Sequence, residues 1–131
     1  MSKSKSKKAR QKKVRAFSIL AAETPAPRSV KTFEIAVAKT PLVVSWEVIV
    51  EGQHFLPPDF KLEGGKWVRS FVDYPVSGDL DVHLNASGVD DGNQVGKAAG
   101  RISQLGKAIA PDLYVETTKG YGTDYEKYTL A

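Results

Sequence analysis

The chain has 131 residues and no cysteine, which excludes disulfides and thiolate metal sites and argues against a small disulfide-stapled extracellular scaffold. Its net charge of +4 conceals a division: eight Lys and Arg and no acid precede Glu23, while eleven Lys and Arg stand against fifteen Asp and Glu from there on, so an arm of +8 joins a body of −4. Such asymmetry points to a tail that meets a polyanion, and it argues against a body that binds nucleic acid by net charge.

Residues 1–13 are Ser/Lys-rich and contain nothing to bury against the entropy of ordering. Lys3, Lys5, Lys7, Lys8, Arg10, Lys12, Lys13 and Arg15 are the candidate nucleic-acid-binding residues, RNA being favoured. Each would neutralise a phosphate and release its counterion, giving affinity that is blind to sequence and falls with salt. From Ala9 to Ala22, Val14, Phe17, Leu20 and Ala21 recur at helical spacing, which predicts a short basic amphipathic helix in need of a partner. That apolar stripe makes an anionic membrane surface the competing partner. Residues 16–22 are too few and follow too long a charged region to read as a secretory signal, and no run approaches a membrane span. A cytoplasmic or virion-like location is therefore expected. Pro25 and Pro27 mark a linker, which divides the chain into an arm over 1–27 and a globular domain over 28–131.

The body opens on strand patterns. Phe33, Ile35 and Val37 alternate with polar or small neighbours, and Val44, Trp46, Val48 and Val50 do the same across Thr40-Pro41, which predicts an antiparallel pair. A short extended piece lies around 60–62, and Gly64-Gly65 punctuates the chain before a third strand over 66–74. Ser77-Gly78 turns into a fourth strand, in which Leu80, Val82, Leu84 and Ala86 share one face. Val95, Ala98, Ala99, Ile102, Leu105 and Ile109 then recur at three and four residues, which predicts an amphipathic helix over 94–110. Gly96, Gly100 and Gly106 weaken that helix and keep a glycine-softened strand as the alternative. Residues 113–115 return to strand, and the tyrosine-rich end from Gly120 is partly extended. The expected fold is mainly β, an antiparallel sheet or small β-sandwich with one helix (α+β in the alternative).

Two segments of the body carry chemistry. Trp67, Arg69 and Phe71 share one face of the third strand; exposed, they would stack bases and meet a phosphate, and buried they are core. Asp79, Asp81, His83 and Asn85 share the polar face of the fourth strand, where Asp81 and His83 would serve an enzyme or, with Asp90-Asp91, supply ligands to a divalent ion. The same residues are what any half-buried strand shows to water, and their spacing matches no calcium or zinc motif. His54 and His83 are the two histidines, and the chain holds neither a nucleophile elbow nor a phosphate-cradling glycine loop. The expectation is therefore a non-enzymatic, self-associating protein without metal or cofactor, whose arm binds nucleic acid. Its layout resembles in outline that of many small viral coat proteins, without a shared motif. The alternative is a β-sandwich that binds carbohydrate or calcium.

Overall fold

A computed structural model describes residues 29–89 and 92–131. The eight basic residues of the arm, the amphipathic stripe from Val14 to Ala21, the proline linker and Asp90-Asp91 lie outside the described residues.

Among the described residues, nine strands form two antiparallel sheets. The five-stranded sheet has the order β4 (Lys61–Glu63), β5 (Lys66–Val76), β1 (Ser29–Lys39), β7 (Lys97–Gln104), β8 (Lys107–Glu116). The four-stranded sheet has the order β3 (Gln53–Phe55), β2 (Val43–Val50), β6 (Leu80–Gly88), β9 (Tyr121–Tyr128). Packed together they form the β-sandwich that the alternating apolar pattern calls for, because each sheet has one apolar face to hide. Phe33, Ile35 and Val37 of β1 and Leu80, Val82, Leu84 and Ala86 of β6 point inward from the two central positions.

Two expectations are corrected. β1 and β2 are consecutive but not paired: β1 lies between β5 and β7, and β2 between β3 and β6, so the turn at Thr40-Pro41 carries the chain from one sheet to the other. The predicted helix over 94–110 is instead the hairpin of β7 and β8. Ala98, Gly100 and Ile102 alternate inward with Leu113 and Val115 opposite them, while Leu105 is fully exposed at the tip. Leu105 and Gly106 both have positive φ, at 51° and 77°, the two-residue turn whose twist suits a hairpin. Glu51-Gly52 and Gly64-Gly65 close two more hairpins in the same conformation.

The strand phase also shifts locally. In β2 the buried residue is Val43 rather than Val44, because the pairing with β6 slips between Val43 and Ser45. In β5 a slip opposite β1 between Lys31 and Phe33, with Asp73 at φ 50°, keeps Phe71, Tyr74 and Val76 on the side that packs inward. Thr32 Oγ1 accepts the hydrogen bond of the Asp73 amide at this bulge.

The sandwich closes along one side where β8 meets β9. The Tyr114 amide of edge strand β8 donates to Asp124 Oδ2 of β9 at 2.9 Å. Gly122 of β9 lies so close to the backbone of Glu116 that any side chain there would collide with it. Thr117, the buried polar residue in the β8–β9 connection, accepts the Gly96 amide at 2.9 Å and thereby ties that connection to the start of β7.

Candidate functional site

Phe71 is 2 % exposed, stacked 4.8 Å from Phe33 and edge-on to Phe55, so it presents no face to a base. Trp67 packs edge-on against Trp46 at 5.8 Å, and Lys39 Nζ covers its ring at 5.5 Å. Arg69 lies across the rings of Phe55 and Phe71 and donates from Nη1 to the Asp59 carbonyl at 3.0 Å. Its charge is held by aromatic faces and a backbone oxygen. The face of β5 that carries these three residues therefore faces into the sandwich and belongs to the core in the described structure.

The polar face of β6 is on the outside of the four-stranded sheet, where the sheet assembles a wider group. Strand register places Glu47 of β2, Asn85 of β6 and Thr123 of β9 side by side. His54 Nδ1 of β3 lies 2.9 Å from Glu47 Oε1, Asn85 Nδ2 donates to Glu47 Oε2 at 3.1 Å, and Thr123 donates its hydroxyl to Asn85 Oδ1. A hydrogen-bonded chain thus crosses all four strands. It fixes the Glu47 carboxylate and holds its pKa below the ordinary glutamate value, first through the bond with His54 and then through that from Asn85.

Asp81 and His83 lie next along the same face. Asp81 Oδ1 is 3.3 Å from His83 Nε2, and the imidazole packs 4.3 Å from the ring of Tyr125. Asp79 instead accepts the Thr129 hydroxyl at 3.2 Å. Among the described residues, no group of three or more His, Asp or Glu is placed to hold a metal ion.

Beside the chain lies a depression of about 200 Å³, floored by Ser45, Glu47, Asn85 and Ser87 and walled by Leu56 and Tyr121. The two serine hydroxyls are hydrogen-bonded to each other across β2 and β6. Leu56 and Tyr121 are 51 % and 56 % exposed. A larger cleft of about 610 Å³ lies near the Thr40–Leu42 turn, with Gln94, Lys97 and Glu116 around it.

Asp81, His83 and Asn85 are legible as one face of a strand. Glu47, His54, Ser45 and Tyr121 are not legible as their neighbours, because they come from strands distant in sequence, with Glu47 facing Asn85 and Tyr121 facing Ser87 across the sheet. Of the C-terminal tyrosines, Tyr128 is core, whereas Tyr114, Tyr121 and Tyr125 are exposed.

Among the described residues, no helix is long and apolar enough to cross a membrane. Comparison with protein-family models, with curated proteins and with solved structures finds no match to this chain.

Proposed function

We propose that the chain is a non-enzymatic assembly protein whose N-terminal arm binds nucleic acid, RNA in the first place, while its β-sandwich body associates with further copies. The observation that carries this reading is the division of charge, +8 before Glu23 and −4 after it. An acidic body repels a polyanion, so the affinity resides in the arm. In the described body the aromatic–basic face of β5 is taken up by packing, with Phe71 buried and half-buried Trp67 and Arg69 lying against neighbouring rings. Exposed Val44, Leu62, Val72 and Leu105 are apolar side chains that contact between copies would cover. A cytoplasmic or virion-like location follows from the same reading. Deleting residues 1–15 tests it: retention of nucleic acid in low salt is expected to vanish while the body stays folded. Unchanged retention would contradict it.

A further inference from the structure

The depression on the four-stranded sheet calls for a ligand of a different kind from the one the arm takes. None of the residues that line it is basic, and the ionic group on its floor is the Glu47 carboxylate. A phosphate, a sulfate or a nucleic-acid backbone would meet a fixed negative charge there, and the one base beside it, His54, is already engaged by that carboxylate. The site therefore suits a ligand that is polar without being anionic.

Its polar groups specify more. A carboxylate has about four acceptor positions, and His54 and Asn85 engage it at one oxygen each. The Asn85 amide carries two N–H donors, of which one goes to Glu47. Of the Ser45 and Ser87 hydroxyls one gives its hydrogen to the other, so the pair offers a ligand one O–H donor and an acceptor position on each oxygen. An acceptor pair, an amide donor and two hydroxyls within one small floor match a ligand whose own groups both donate and accept at neighbouring positions, as adjacent hydroxyls on one ring do. The floor is also held in place before any ligand arrives, because Glu47 is gripped from both sides and Asn85 is gripped by Thr123.

The walls add the apolar part. Half-exposed Tyr121 and Leu56 stand on opposite sides of this floor and offer C–H-rich or ring surface to the less polar faces of a ligand. A volume of about 200 Å³ suits one ring rather than an extended chain.

We propose that this depression binds one neutral sugar ring of a soluble oligosaccharide, with Glu47, Asn85, Ser45 and Ser87 pairing its hydroxyls and Tyr121 packing on its face. This goes beyond the binding of nucleic acid by the arm and does not depend on it.

The test is an amide chemical-shift titration of the full chain with neutral linear oligomers of glucose, mannose, galactose and N-acetylglucosamine, and with a sulfated heparin fragment for contrast. At least one neutral oligomer is expected to give saturable shifts centred on Ser45, Glu47, Asn85, Ser87 and Tyr121. Tyr121→Ala and Glu47→Gln should each weaken that binding about tenfold. Substituting Gln for the eight basic residues of the arm should leave it unchanged. Tyr121 is a surface residue, so its variant reports on the site even if Glu47→Gln disturbs the sheet. No saturable shift with any neutral oligomer, shifts that persist at full strength in Tyr121→Ala, or shifts abolished by the arm substitutions would each overturn the proposal. Loss of nucleic-acid binding without loss of these shifts would bear on the arm alone.

Discussion

Tyr128 donates its phenolic hydrogen to the carbonyl oxygen of Pro111 at 2.6 Å, and so ties the last strand of the four-stranded sheet to the edge strand of the five-stranded one. The ring is buried, and burial followed by the charges of Glu126, Asp112 and Asp124 pushes its pKa well above the ordinary phenol value of 10. A raised pKa in the folded state means that the unfolded chain gives up this proton first. Stability from Tyr128 is therefore intact below about pH 10 and declines as pH rises past it. Tyr128→Phe should cost about 1 kcal/mol near neutrality and flatten the alkaline loss. Chemical denaturation at a series of alkaline pH values checks both.

The core assignment of β5 separates two neighbours. Phe71→Ala should destabilise the domain by about 3–5 kcal/mol, because a ring stacked on Phe33 and edge-on to Phe55 leaves a cavity. Val72→Ala, at a position 69 % exposed, should stay within about 0.5 kcal/mol of the parent. Urea midpoints of the two variants measure the contrast, and equal losses would mean that the face of this strand is reversed.

At the β7–β8 turn, Leu105 holds φ at 51° with its side chain wholly in water. Left-handed backbone costs a branched, non-glycine residue about 1 kcal/mol, and Asn before Gly is the favoured pair in such a turn. Leu105→Asn should therefore raise stability by roughly 0.5–1 kcal/mol, seen as a higher melting temperature. A helix over 94–110 would predict the reverse, since Asn is the poorer helix former.

That turn shows why part of the fold was legible and part was not. Ala98 and Ile102 are four residues apart, a spacing that serves one face of a helix and one face of a strand equally. Gly100 between them occupies an inward position with no side chain to reveal the alternation. Leu-Gly carries no hairpin signature, so the turn that would have decided the matter was silent. The four strands with clear period-two faces, β1, β2, β5 and β6, were readable for the complementary reason: an apolar face and a polar face differ at every step. Even there the alternation runs through Val44, Trp46, Val48 and Val50 while the buried residue is Val43, because a bulge changes phase without changing composition. The site was readable only along β6. Sheet partnership and order depend on contacts distant in sequence, and Glu47 meets Asn85 across 38 residues.

The Glu47 chain makes a pH prediction of its own. Because its folded pKa lies below the ordinary value of 4.5, the carboxylate contributes stability above that value and loses it as pH falls through the folded one. The stability difference between the parent and Glu47→Gln should be steady near neutrality and shrink below about pH 4.5. Removing His54 as His54→Ala should bring the Glu47 titration midpoint, followed by side-chain carboxyl NMR, back toward the ordinary value.

The claim that polyanion affinity resides in the arm meets its most direct test in the salt dependence of binding to single-stranded RNA, followed by fluorescence anisotropy. For the intact chain, eight neutralised phosphates predict a slope of log K against log salt of about −5 to −6. With Gln in place of Lys3, Lys5, Lys7, Lys8, Arg10, Lys12, Lys13 and Arg15, binding should fall below detection while the melting temperature of the body is unchanged. Undiminished affinity with the same slope in that variant would contradict the account, because the acidic body itself would then be the RNA-binding part.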